Sequence, residues 1–387
     1  MARDIEPSAF VELNGPRKPH TPKQGSTPEL TIVVPTRNER DNVGVLVDRL
    51  ISALDGIAWE VVFVDDDSPD GTCEVVKTLA AADPRVRCIY RVGRRGLSGA
   101  CIEGMLSSAA PFVAVMDADL QHDEYLVPKM LEALRGGADL AVGTRYAPGG
   151  STGTGFSAFR RWGSRQAIQL TKKLLGVEVS DPMSGFYMIR KPLVEAMAGS
   201  LWPQGFRLLL DIVVTSPNKL KTVEIPFTFR TRPSGESKMD SLVTFQFFGL
   251  LASKATGGLL PPRFLMFALV GGSGIVVHLT ALDVLYAVLG WRFVLSQLSA
   301  TFIAMTSNFF LNNIFTYSDR RLRGTALLVG LITFYIVCSF GTLANVSVAS
   351  FLYGVDQSTP LLSGFAGAMM SVVFNYAATK ALTWHDA

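Results

Sequence analysis

Apolar residues along this chain follow two different patterns, and the change comes near Pro262. Before it, short apolar runs alternate with stretches in which apolar residues recur at three- and four-residue spacing. The run LTIVVPTRNE (30–39) reads as a buried strand leading into a helix over 40–54, with Val43, Leu46, Val47 and Leu50 on one face. WEVVFVDDDSPDGT (59–72) is a second strand ending in acids, followed by a helix over 72–82; RCIYRV and FVAVMDAD repeat the pattern. Strand and helix alternating in this order predict an α/β fold, a parallel sheet with helices on both faces. Ligands in such sheets bind beyond the carboxyl ends of the strands, so Arg37, Asn38, Glu39, Asp65, Asp66 and Asp117 are expected around one crevice.

After Pro262 charges nearly vanish. Four apolar segments, 264–290, 293–317, 326–355 and 361–383, each exceed the roughly 20 residues a helix needs to cross a bilayer core of about 30 Å. Basic residues gather before the first span (Arg263), between the second and third (DRRLR, 319–323) and near the end of the fourth (Lys380). Lys and Arg are retained on the cytoplasmic side, which places the large N-terminal region and both termini in the cytoplasm. His278 and Asp283 are ionisable residues inside the spans and candidates for function, although Asp283 falls close to a span end. Two stretches could meet the membrane surface. FRRWGSRQAIQLTKKLLGV (159–177) sets Trp162, Ile168, Leu170, Leu174 and Leu175 among Arg161, Arg165, Lys172 and Lys173, the pattern of a basic interfacial helix or of an ordinary helix packed on the sheet. SLVTFQFFGLLASKATGGLL (241–260) precedes the first span and reads as a second interfacial helix.

Composition narrows the classes. A net charge of +3 over 387 residues is too small to argue for nucleic acid, and neither a G-x-G-x-x-G nor a Walker lysine pattern is present, which disfavours a dinucleotide oxidoreductase or a P-loop ATPase. The four cysteines (Cys73, Cys88, Cys101, Cys338) lack metal-ligand spacing and disulfide density, which suits a reducing compartment. The first 28 residues carry acids and prolines, without a signal-like apolar core, and read as a mobile tail; no internal repeat stands out. What remains is the stretch VAVMDADLQHD, where an apolar strand runs into Asp117 and Asp119. Two carboxylates flanking one residue, with Gln121 nearby, offer hard oxygen ligands to one Mg²⁺ or Mn²⁺ ion, of the kind completed by substrate phosphates. Acids after a strand can equally be solvated turn residues, as can His122 beside them.

The strings VVPTRNE, VDDDSPDGT, GLSGACIEGM, MDADLQHD, GTRY, FRRWGSR, SDPMSGF and RPSGESKM occur in this order. Together they resemble the family 2 glycosyltransferases of GT-A fold, and among them the polyprenyl-phosphate sugar synthases typified by dolichol-phosphate mannose synthase. FLMFALVGGSGIVVHLTALDVLY and NFFLNNIFTY resemble the four-span GtrA-like domain. The resemblance implies a tail over 1–28, a GT-A catalytic domain over 29–240, an interfacial helix and linker over 241–262, and a GtrA-like membrane domain over 263–387. It implies that Pro35, Arg37, Glu39 and Ala118 surround the nucleotide sugar with Asp65 or Asp66 at the base. Asp117, Asp119 and Gln121 would hold the metal, and Arg232 with Lys238 would contact the donor phosphates. Arg145, Arg160 and Ser164 would receive the lipid phosphate, and Asp119, Arg232 and Arg145 would be catalytic. Asp67 stands where the family often has Gly. The implied reaction moves a hexose, foremost mannose from GDP-mannose, to polyprenyl or dolichyl phosphate with inversion. A UDP-sugar donor such as UDP-glucose, a non-catalytic glycolipid carrier, and a nucleotidyltransferase are the competing readings.

Overall fold

The computed structural model describes residues 27–93, 96–151, 158–203, 205, 207–230, 241–257, 259–355 and 360–384. Within its helices the side chains of 158–165, 241–245, 349, 353–355, 360–361 and 364 lie outside the described set, as does the expected tail up to residue 26.

Seven strands form one sheet: β1 (Leu30–Thr36), β2 (Trp59–Asp65), β3 (Val86–Tyr90), β4 (Phe112–Val115), β5 (Leu140–Thr144), β6 (Tyr187–Arg190) and β7 (Thr222–Pro226), in the order β3-β2-β1-β4-β6-β5-β7. The all-parallel expectation needs one correction: β6 runs antiparallel between β4 and β5. Its four residues are too short a run to signal direction, and they sit in the sheet's middle, covered on both faces. Alternation along each strand divides the interior in two. Ile32, Val34 and Phe63 face α1 (Arg40–Ala53), α2 (Thr72–Ala82) and α4 (Val127–Arg135). Val33, Val62 and Val64 face α3 (Leu97–Leu106), α6 (Lys191–Met197) and α7 (Leu208–Thr215). Gly104 lets α3 lie close on the sheet, since a Cβ there would stand 2.9 Å from Val64 Cγ2.

α5 (Ala158–Leu175) and α8 (Ser241–Ala255) cover the expected membrane-surface stretches. Both are partly ordinary packing helices: Ile168 of α5, and Phe247, Leu250 and Leu251 of α8, belong to the second core. Lys172, Lys173 and Leu174 of α5 remain exposed. α8 is locked down by an ion pair from Lys254 Nζ to Asp211 Oδ1 of α7 at 2.6 Å, with Asp211 only 2% exposed.

Four long apolar helices follow: α9 (Pro262–Asp283), α10 (Phe293–Leu311), α11 (Thr325–Val355) and α12 (Pro360–Leu382). Wider π turns extend α9 to Val288 and α10 to Thr316. Among the described residues three are long and apolar enough to cross a membrane, Pro262–Val288, Phe293–Thr316 and Thr325–Leu352, so the count of four spans is not established by length and composition alone. Their outward residues, among them Ile275, Val276, Leu298, Phe302, Leu343 and Phe365, are large, apolar and exposed, as a lipid-facing surface demands. Asp283 is the last residue of α9 and is exposed, while His278 is half-buried.

Candidate active site

The crevice at the carboxyl ends of the strands is built from three loops. The loop after β1 is stitched to the one after β2: Asn38 N donates to Ser68 Oγ (3.0 Å), Glu39 N to Thr72 Oγ1 (3.0 Å) and Arg40 N to Asp70 Oδ2 (3.2 Å). Asn38 (φ 57) and Asp67 (φ 56) adopt left-handed backbones that Asn and Asp tolerate better than most residues. The Asp67 Oδ1 accepts the Tyr90 hydroxyl at 2.5 Å. Asp65 is fully buried and accepts Ser68 N (3.0 Å) and Ser68 Oγ (2.6 Å). Asp66 accepts Arg91 Nη1 (2.5 Å) and Gly96 N (2.8 Å); burial raises its pKa against these two partners. Glu39 accepts Asn42 Nδ2 (2.7 Å), and Pro35 and Arg37 are half-buried beside it. Each acid of the DDD run thus has an internal partner that fixes the loop's shape.

The second loop follows β4. Asp117 N donates to His122 Nδ1 (3.3 Å), Gln121 N donates to Asp119 Oδ1 (3.2 Å), and Leu120 between them turns the chain with φ 61. Asp119 is 8% exposed and Ala118 is buried, whereas the Asp117 side chain is 36% exposed. Gly185, in SDPMSGF, leaves room for the Asp117 carboxylate: a Cβ there would lie 2.9 Å from its Oδ2. His122 is not a solvated turn residue. It stacks on Phe186 at 5.0 Å and meets the edges of Phe227 and Phe229 at 5.7 Å. Burial, with the nearby Arg145 charge, lowers its pKa to about 3, so the ring is neutral and its Nδ1 is an acceptor that holds the Asp117 backbone.

The third loop closes over the second. Gln121 Nε2 donates to Arg230 O (2.8 Å) and Arg230 N to Gln121 O (3.0 Å). The Arg230 guanidinium reaches Asp123 Oδ1 (2.8 Å) and Glu124 Oε2 (2.7 Å), and Arg49 takes the other Glu124 oxygen at 3.0 Å. Asp123, part of the acidic cluster in sequence, is therefore paired away from Asp117 and Asp119. Arg145 makes a two-pronged contact with the fully buried Asp181, at 2.7 and 3.0 Å, and packs 5.4 Å over Phe229. Burial acts to lower the Arg145 pKa, and Asp181 more than reverses this, leaving it raised. Two of its five N–H donors are engaged by Asp181.

Of the sequence candidates, Pro35, Arg37, Glu39, Asp65, Asp66, Asp117, Ala118, Asp119, Gln121 and Arg145 sit on these loops and strand ends. Arg232 and Lys238 lie outside the described residues, and Arg160 and Ser164 fall on α5 where side chains are not described. Asp181, Arg230, Glu124, Arg49 and Arg91 escaped sequence reasoning because each works through a partner far away in the chain. Among the described residues no group of three His, Cys, Asp or Glu gathers as a metal cage. The oxygen set of Asp117, Asp119 and the Gln121 amide, whose nitrogen is turned to Arg230, nevertheless suits a hard divalent ion that substrate phosphates complete.

Residues 31–197 match the family Glycosyl transferase family 2, and residues 266–384 match GtrA/DPMS, transmembrane domain. A dolichol-phosphate mannosyltransferase of Pyrococcus furiosus is 34% identical over 362 residues, covering 92% of this chain and 99% of that protein. The chain belongs to the dolichol-phosphate mannosyltransferase family. Its relatives also include the dolichol-phosphate mannosyltransferase of Saccharomyces cerevisiae, 36% identical over 57% of this chain and 84% of that one. The polyprenol monophosphomannose synthase of Mycolicibacterium smegmatis is 33% identical over 55% and 82%. A family 2 glycosyltransferase domain on a GT-A-like sheet, followed by an apolar helical region, is the architecture of the chain.

Proposed function

We propose that this integral membrane enzyme transfers mannose from GDP-mannose to a polyprenyl phosphate, with inversion, at the cytoplasmic membrane surface. The observation that carries the reading is full-length similarity to a dolichol-phosphate mannosyltransferase combined with an acidic loop that keeps Asp117 and Asp119 on the crevice while pairing Asp123 elsewhere.

In this reading the catalytic unit spans 29–240 and hands the chain through 241–262 to the membrane unit, 263–387. α12, at 23 residues, is about 34 Å long and serves as a fourth crossing. An even number of spans, with Arg263, the 319–323 loop and Lys380 at one end, keeps both termini cytoplasmic.

Asp117, Asp119 and Gln121 would hold Mg²⁺ or Mn²⁺, which when bound neutralises charge developing on the nucleoside diphosphate. The chain's own residues do the positioning. Pro35, Arg37, Glu39, Ala118 and one of Asp65 or Asp66 border the nucleotide, with Arg232 and Lys238 at its phosphates. Arg145, fixed by Asp181, presents a preorganised guanidinium to the acceptor phosphate, and Arg160 and Ser164 would contact the same phosphate. The acceptor oxygen is already an anion; its electron pair forms the new bond to the anomeric carbon, while the old carbon–oxygen bond breaks onto the diphosphate. No proton needs to move, so the residues need only align the two anions.

The test is release of nucleoside diphosphate by the purified protein with polyprenyl phosphate and Mg²⁺ or Mn²⁺. Release from GDP-mannose, dependent on lipid and metal, supports the proposal. Release from UDP-glucose alone changes the sugar and keeps the mechanism. Release from neither removes the proposal.

A further inference from the structure

The apolar half is internally repeated, contrary to the expectation that the chain holds no repeat. Shifting the chain by 67 positions (341 − 274, 375 − 308 and 384 − 317 are each 67) lays α9 and α10 on α11 and α12. Phe267 falls on Phe334, Gly274 on Gly341, Ser296 on Ser363, Asn308 on Asn375, Thr316 on Thr383 and Tyr317 on Trp384. Burial follows the same pairing: the two serines are 0% and 2% exposed, the two threonines 4% and 4%, Tyr317 and Trp384 0% and 1%. So do contacts. A Cβ on Gly274 would collide with the Asn308 amide, and one on Gly341 with the Asn375 amide. Tyr317 and Trp384 stack on each other, 4.2 Å between centroids and 4° from parallel. A residue that meets its own counterpart marks a two-fold axis. Each unit is a helical hairpin, so both units run in the same sense and the axis lies along the helices.

Unpartnered polar atoms obey the symmetry as well. Among the described residues, Asn308 Oδ1 and Asn375 Oδ1, and Thr316 Oγ1 and Thr383 Oγ1, are buried without hydrogen-bond partners. Asn312 Oδ1, on a residue 1% exposed, lies on the same helix face between Asn308 and Thr316. Orphaned acceptors are costly anywhere, and hydrocarbon supplies no replacement. One such atom is an accident of packing; the same atoms orphaned at both positions of a repeat are a built feature.

We infer that the membrane half is one helical hairpin used twice, and that the two copies create a two-fold-related polar site that takes hydroxyl donors, in the first place water. The site extends from the aromatic stack for about 12 Å, eight residues of helix, into the span. Amide oxygens accept, and threonine hydroxyls both donate and accept, so neutral hydroxylated ligands suit it better than ions.

The test uses the full-length protein in lipid bilayers. Asn308→Cys, Asn375→Cys, Thr316→Cys and Thr383→Cys are exposed singly to a small, neutral, water-soluble thiol reagent, and labelling is read peptide by peptide so that native cysteines can stay. Phe302→Cys and Met369→Cys, an equivalent pair on the lipid-facing surface, are the controls. All four site thiols should react, at rates matched between counterparts, and the controls more than ~50-fold more slowly, because a thiol in hydrocarbon does not ionise to the reactive thiolate. Reaction at Asn308→Cys but not Asn375→Cys overturns the equivalence; site thiols as slow as the controls overturn the polar site. Hydroxyl-radical footprinting of the unmutated protein covers variants that misfold. Oxidation of the equivalent rings Phe309 and Tyr376 above that of Phe302 and Phe365 is expected, and equal protection overturns the inference.

Discussion

Leu120 holds a left-handed backbone directly after Asp119, a conformation costing about 1–2 kcal/mol for an ordinary L-residue. Its side chain is 5% exposed, and burying a leucine contributes about 1.5–3 kcal/mol, so burial outweighs strain and holds the carboxylate loop in its turn. Leu120→Gly should therefore destabilise by about 1 kcal/mol although it removes the strain, measured as a fall in melting temperature; a rise would show that strain dominates. Asp119→Asn keeps the acceptor for Gln121 N and removes one negative charge. Turnover should fall about 10²–10³-fold at unchanged melting temperature, the scale of losing one electrostatic group at a reacting centre. Tyr90 titrates near 12 because its hydroxyl donates to Asp67 and the carboxylate charge opposes ionisation. That hydrogen bond favours the folded state below pH 10 and its contribution is lost as pH rises toward 12; Asp67→Gly should return the phenol toward 10 in an ultraviolet titration against Tyr90→Phe. Motif residues were legible from sequence because carboxylates recur where apolar strands end, at the edge of the sheet where ligands bind. Whether an acid faces the ligand or a neighbour was not: Asp117 and Asp123 look alike in sequence, and only Arg230, over a hundred positions away, separates them.

The elements were readable where they are amphipathic. α1 and α2 fall within a residue of their expected bounds because one apolar face fixes them. β6 was missed since its four residues carry no period, and the antiparallel direction depends on where the chain returns. Arg230, just after β7, had no signal of its own beside the RPSGESKM string, yet it forms the clamp on the acidic loop. Glu124 is 1% exposed between Arg49 and Arg230, so Arg230→Ala leaves a buried carboxylate with one partner fewer. Arg230 itself is 38% exposed, which reduces the cost from that of a fully buried pair to about 1–2 kcal/mol. A double-mutant cycle with Glu124→Gln checks this: neutralising Glu124 should restore most of the stability lost in Arg230→Ala, because the main-chain contacts between residue 230 and Gln121 survive the substitution. A double variant as unstable as Arg230→Ala alone would show that the loss does not come from the buried carboxylate.

For the whole molecule, the division into a sheet unit and an apolar unit could be read from the sequence, and the repeat inside the apolar unit could not. Lipid-facing positions accept any large apolar residue, so counterparts such as Leu298 and Phe365 carry no likeness and hide the few positions that do. Those few hold the helix ends together beneath α8. Trp384 stacks on Tyr317 and donates its indole N–H to Asn313 Oδ1 at 3.2 Å, Arg320 donates to its carbonyl at 3.2 Å, and Arg263 bridges to Asp319 at 2.6 Å. α8 joins this knot through Gln246 and Ser318, and joins the catalytic unit through Lys254 and Asp211. One helix therefore ties the catalytic unit to the apolar unit. Trp384→Ala removes a ring that is 1% exposed, at a cost of about 3–5 kcal/mol to the apolar unit. Its contacts with Tyr317, Asn313 and Arg320 belong to the apolar unit, so the effect is expected on the lipid side: KM for the nucleotide sugar should be unchanged, while kcat/KM for a bilayer-embedded polyprenyl phosphate falls by about tenfold, the 1.4 kcal/mol that loosened alignment of one anion represents. A short, water-soluble polyprenyl phosphate separates the explanations, because it reaches the crevice without depending on how α8 ties the two units together. Equal losses with both acceptors would mean that the catalytic unit itself had been damaged, and the bridging role of α8 would fall.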